Sequence, residues 1–152
     1  MTTTVDGIGE LQARVGEHLG YSEWHQVTQE QVNKFADATG DHQWIHVDVE
    51  RARGGPFGGP IAHGYLTLSL APVLMAEVVH VAGVAMGVNY GLNKLRFPSP
   101  VPVGSQVRLG AQLAGVEPVS GGVQVTYALT FETEGGAKPA CVAEAVFRYY
   151  EG

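Results

Sequence analysis

Residues 40 to 46 read Gly-Asp-His-Gln-Trp-Ile-His, and Ala62-His63-Gly64 stands at the mouth of a strongly apolar stretch. Asp41 and His46 are a carboxylate and an imidazole five residues apart, with Trp44-Ile45 between them to anchor the segment. In a turn followed by extended chain, that offset lets both side chains reach one water. Such a pair can divide proton abstraction from donation, each worth roughly 100-fold or more in rate. Gly64 adds a different capability. An N–H in the first turn of a helix has no intrahelical acceptor, and a residue lacking Cβ lets an ester or thioester oxygen come close to it. Activation of water and polarisation of a carbonyl can therefore share one pocket.

Each of these residues also has a plainer reading. Asp41 after a glycine is a good turn or cap residue, and one ring nitrogen of His63 can simply fix the loop entering the helix. Asp41, His42, His46, Asp48 and His63 are metal-ligand types, but neither HExxH nor His-x-His spacing occurs. No metal is expected.

The elements that must position these groups are legible in outline. Ile8, Leu11 and Val15 recur at helical spacing before Gly16 and Gly20, which predicts a short N-terminal helix. Residues 21–27 read as a first strand. Thr28-Gln-Glu-Gln31 has capping-box spacing, so a helix starts there, with Val32, Phe35, Ala36 and Thr39 as its inward stripe and Gly40 as its left-handed stop. Residues 41–60, rich in Gly and Pro, read as irregular except for a turn of helix over 49–53 capped by Asp48. From Gly64 to about Val81 the chain predicts one long helix, buried nearly all round and kinked or broken near Pro72. Glu77 is its only carboxylate and is expected to face solvent.

Strands are expected near 84–97, 105–117, 122–134 and 139–150, separated by Pro98-Ser-Pro100, Val119-Ser-Gly-Gly122 and Gly135-Gly136. Alternation of Val123, Val125, Tyr127, Leu129 and Phe131 with smaller or polar residues marks an antiparallel strand with one buried face. One apolar helix followed by four strands implies an α+β fold in which the sheet curls around that helix. Asn89 and Asn93 alternate with Val88, Tyr90 and Leu92 on what reads as a sheet interior, where two amides need partners. They line the pocket or bond across a subunit contact. Lys94 and Arg96 read as a solvated strand end.

Gross properties narrow the function. A chain of 152 residues fits one domain covering 1–152. A net charge of −6 without a Lys/Arg cluster argues against nucleic acid or an anionic membrane as partner. No run reaches the roughly 20 apolar residues of a membrane span. The single Cys141, in an apolar context, reads as a buried structural thiol and suits a reducing cytoplasm. A small-molecule substrate remains.

Gly40-Asp41-x4-His46-x5-Ala52 resembles the MaoC-like, R-specific enoyl-CoA hydratase family, whose motif is Gly-Asp-x-Asn-Pro-aliphatic-His-x5-Ala/Ser. Ala62-His63-Gly64 and Asn89-Tyr90-Gly91-Leu92-Asn93 resemble its nodulation protein N branch, so the likeness covers nearly the whole chain. The resemblance implies a single hot-dog domain, an antiparallel β-sheet wrapped around a long central α-helix, and a homodimer with sheets joined edge to edge. It implies Asp41 and His46 as the catalytic pair and the Gly64 N–H as the donor to the thioester oxygen. His63, Trp44, Asn89 and Asn93 fall to substrate binding or loop support. The implied reaction is syn hydration of a trans-2-enoyl-CoA, an acyl-CoA substrate, without a cofactor. Gln43-Trp44 departs from the family's Asn-Pro, and Trp44 is expected to anchor the loop with an effect on acyl-chain access. The alternatives on the same fold are an acyl-CoA thioesterase, against which Glu77 stands far from the helix start, and a non-catalytic acyl-binding subunit.

Overall fold

The alternation from Val123 to Phe131 becomes the middle of a sheet. The computed structural model describes residues 1–152. The chain opens with β1 (Thr3–Val5), α1 (Ile8–Leu11) and a 3-10 turn at Gln12–Arg14, then β2 (His18–Tyr21) and β3 (His25–Gln26). Helices α2 (Gln29–Thr39), α3 (Trp44–Val47), α4 (Val49–Arg53), α5 (Gly64–Ser69) and α6 (Ala71–Val78) follow. The remainder is β4 (Val79–Val81) and the long strands β5 (Val84–Arg96), β6 (Gln106–Val119), β7 (Gly122–Thr133) and β8 (Cys141–Glu151).

The main sheet runs β2-β6-β7-β8-β5 with β3 also against β6, and every pairing in it is antiparallel. Its inner face closes on α6. Leu74, Met75 and Val78 pack with Leu109, Leu113, Tyr127, Leu129 and Phe131 in the main core. Burying each such large side chain contributes about 1.5–3 kcal/mol as an upper estimate. Cys141 lies in the same core, and burial pushes its thiol up to about 12, as befits a structural rather than reactive cysteine.

Several expectations change. The long helix does break at Leu70, as expected near Pro72, which has no N–H to give and whose ring clashes with the preceding turn, but it ends at Val78, short of the expected Val81. Pro72 instead occupies the first turn of α6, where the missing donor costs nothing. Residues 79–81 leave the helix as β4 and pair in parallel with β1, a partner too remote in sequence for periodicity to reveal. Nor is the helix buried all round: Tyr65 and Val73 are 66% and 61% exposed. The predicted strand over 21–27 divides into β2 and β3, and Thr39 lies outside the buried stripe of α2, its hydroxyl donating to the Phe35 carbonyl.

Strand β5 departs most from its reading. It is the sheet's edge, and it carries three bulges, at Ala85, Tyr90 and Asn93, each an extra residue opposite β8. Two-residue alternation fails at every bulge. Asn89 and Leu92 therefore come to face the same side, opposite Phe147 and Ala145, while Asn93 is set aside. Both asparagines are exposed rather than interior.

Candidate active site

Local sequence builds the loop as far as Asp41. The Thr28 hydroxyl accepts the Gln31 N–H at 3.1 Å and starts α2, and Gly40, at φ 83°, stops it. Asp41 is exposed and its Oδ1 accepts the Gln43 N–H at 3.3 Å, a short turn that leads into α3. Helix α3 is a single turn that periodicity missed, and it ends on Asp48, which caps α4 through the Arg51 N–H at 3.1 Å.

His46 is 6% exposed and tied down on two sides. Its Nδ1–H donates to the Ile61 carbonyl at 2.6 Å, and the Gln29 amide donates to the His46 carbonyl at 2.8 Å. With Nδ1 acting as donor, Nε2 carries the lone pair, the tautomer a general base needs. Burial is the main cause holding this imidazole below its ordinary 6.5, against the opposing pull of the Ile61 bond; neighbouring His63 lowers it further and Asp41 raises it.

His63, 2% exposed, bonds through Nε2 to the Asp41 carbonyl at 3.0 Å, and its ring stacks on His46 with centroids 3.9 Å apart. One residue thus braces both ends of the Asp41–His46 segment. Donor atoms of Asp41, His46 and His63 lie within 4.8 Å of one another. That set contains metal-ligand types, yet its geometry suits an ion poorly. A ligated metal sits in the imidazole plane about 2.0–2.1 Å from nitrogen, whereas these two rings are stacked with only 24° between their planes.

Gly64 opens α5 directly after His63, and its N–H donates to no main-chain carbonyl. What demands glycine there is room: an added Cβ would stand 3.0 Å from Cδ2 and Cε2 of Phe97. Beyond Gly64 two adjoining grooves, of about 350 and 250 Å³, run between α5–α6 and β5 and share Pro72, Asn89 and Phe147. The larger begins at Leu68, four residues and about 6 Å of helix past Gly64.

Among the remaining sequence candidates, Trp44 is half-buried with its ring against Arg51 and Gly55. Asn89 lines both grooves; Asn93 lines neither. Lys94 and Arg96 are exposed at the strand end, as expected. Glu77 is not a free surface carboxylate: it accepts the Glu23 N–H at 3.0 Å and sits 2.7 Å from His25. Partial burial raises its pKa, but those two bonds outweigh burial and hold it below the usual range. Sequence reasoning missed Gln29, read only as part of a cap, and the carbonyl of Ile61, which no side-chain pattern signals. It also missed Phe97.

Residues 10–134 match the family model for the MaoC like domain. The chain is 58% identical over 147 residues to 3-hydroxyacyl-thioester dehydratase Z of Mycobacterium tuberculosis (strain ATCC 25618 / H37Rv), covering 96% of this chain and 97% of that one. It is 44% identical to Nodulation protein N of Rhizobium leguminosarum bv. viciae, covering 90% and 86% of the two chains. Among solved structures, R-hydratase PhaJ1 from Pseudomonas aeruginosa in the unliganded form matches with a TM-score of 0.72 at 25% identity, over 97% of this chain and 89% of that one.

Proposed function

The chain belongs to the MaoC-like family of hot-dog dehydratases and hydratases, and from that premise we propose that it catalyses reversible syn hydration of a trans-2-enoyl-CoA to an (R)-3-hydroxyacyl-CoA. The observation that carries this reading is the meeting of the Asp41 carboxylate and the His46 imidazole within 4.8 Å, on a loop that His63 ties to the helix start bearing the unpaired Gly64 N–H.

In the hydration direction, the pair holds water and takes one of its protons while the oxygen adds to Cβ. Electrons of the C=C bond move toward the thioester oxygen, where the Gly64 N–H stabilises the developing enolate. A proton is then returned to Cα, so hydrogen and hydroxyl add with no cofactor and no net change in the enzyme. Dehydration is the same path reversed. The acyl chain lies in the grooves beyond Leu68. We infer in addition that two copies join along β5, whose open edge exposes Met86, Val88, Tyr90 and Leu92.

The test is spectrophotometric. Purified protein given crotonyl-CoA and longer trans-2-enoyl-CoAs should bleach the conjugated thioester absorbance and yield the (R)-alcohol, without releasing free thiol. Asp41→Asn and His46→Gln should each lower the rate roughly 100-fold or more with the fold retained. Thiol release without hydration would make the protein a thioesterase, and inertness in both assays would make it an acyl-binding module.

A further inference from the structure

We propose that Trp44, held between Arg51 and Gly55, is the positioning residue that sets His46 for the reaction proposed above. Helix α3 is only four residues long, too short to persist without tertiary support. The Gln29 amide and the Ile61 main chain bond to Ile45 and His46, and the His63 ring stacks on His46. The indole of Trp44 adds a contact to the segment that follows. The Arg51 guanidinium lies 4.3 Å from the indole centroid, and a Cβ on Gly55 would fall 3.0 Å from Cζ3 and 3.1 Å from Cη2.

The glycine and the arginine have no stronger claim elsewhere. Gly55 does not adopt positive φ, so its lack of a side chain makes room, first for the ring and also for the Ala52 carbonyl oxygen, which a Cβ would meet at 3.2 Å. Arg51 makes no salt bridge, unlike Arg53 two residues on, which pairs with Glu50 at 2.8 Å. Because α3 and α4 share Asp48 as stop and start, a ring on α3 gripped by residues on and just after α4 fixes the angle between the two short helices. His46 projects from that joint. Here a side-chain stack does the bracing that a proline would supply through the backbone.

The proposal rests on the hydratase reading, and the experiment separates the two. Wild type, Trp44→Ala, Trp44→Phe, Arg51→Ala and Gly55→Ala are compared for kcat and KM on an enoyl-CoA, for circular dichroism, and for the His46 Nδ1–H resonance by NMR. We expect Trp44→Ala to lose roughly 100-fold in kcat with KM nearly unchanged, the scale of a reactive group misplaced by about 1 Å. Its Nδ1–H signal should broaden or vanish. Trp44→Phe, which keeps a ring on Gly55, should recover most of the loss, and Gly55→Ala, which crowds the ring, should reproduce it in part. If Trp44→Ala does not fold, Arg51→Ala and Gly55→Ala carry the same comparison. Wild-type kcat in folded Trp44→Ala, or a raised KM with kcat intact, would overturn the proposal. A wild type that hydrates nothing would sink the hydratase reading, while the Nδ1–H comparison would still decide the positioning role.

Discussion

At the scale of single residues, the buried imidazole has a consequence in pH. The unfolded chain protonates His46 near its ordinary 6.5, whereas the folded protein, chiefly through burial, keeps it neutral to lower pH. Stability is thus unaffected by this group above about 6.5 and declines as pH falls from there toward the lower folded value. The same shift keeps the base form available in weakly acidic solution. A profile of kcat/KM should accordingly show its acidic limb below 6.5, and in Asp41→Asn the limb should move lower still, because the nearby carboxylate raises the imidazole. A limb at or above 6.5 would assign the essential ionisation to another group.

At the scale of elements, the site is a loop tied to a helix start, and two glycines in it make room for aromatic rings: Gly55 for Trp44 and Gly64 for Phe97. Phe97 follows the last residue of β5, packs edge-on to Tyr65 with centroids 6.0 Å apart, and fills the space a Gly64 side chain would need. Gly64→Ala must therefore displace the ring or the first turn of α5. Loss of a single oxyanion donor costs roughly 100- to 1000-fold in kcat, and a displaced α5 start should approach that loss. Gly64→Ala/Phe97→Leu should regain much of the rate if the clash is with the ring. A double variant as slow as Gly64→Ala would mean the new methyl obstructs the acyl thioester itself.

At the scale of the whole molecule, the sheet has one edge of short strands and one made by a single long strand. β2 and β3 are short at one end, but β5 presents 13 residues with Met86 53%, Val88 39% and Tyr90 57% exposed. A long edge with apolar side chains is a template for another strand. With a second copy paired there, the grooves beside α6 and β5 gain a further wall. Light scattering on purified protein should give twice the chain mass, and Met86→Lys/Val88→Lys should shift it to one chain mass. A wild-type monomer would remove the paired arrangement.

What the sequence determined by itself were the features whose cause is local. The Thr28 cap and the Gly40 stop, the Asp48 cap, the alternation along β7 and the break around Pro72 all follow from one residue's own backbone and its neighbours within a turn. Asp41 and His46 stood out as a carboxylate and an imidazole at short spacing, and Gly64 as a glycine at the start of a helix, while the roles proposed for them came from the family resemblance. Tertiary structure decided what depends on chain segments far apart. It set the tautomer of His46 through Ile61, braced its carbonyl from Gln29, stacked His63 beneath it, and placed the Phe97 ring over Gly64. It also turned Asn89 and Leu92 to one side through bulges in β5. Hydrogen bonds and ring contacts across 15 to 33 residues of chain leave no periodic trace, because packing, not local propensity, selects their partners.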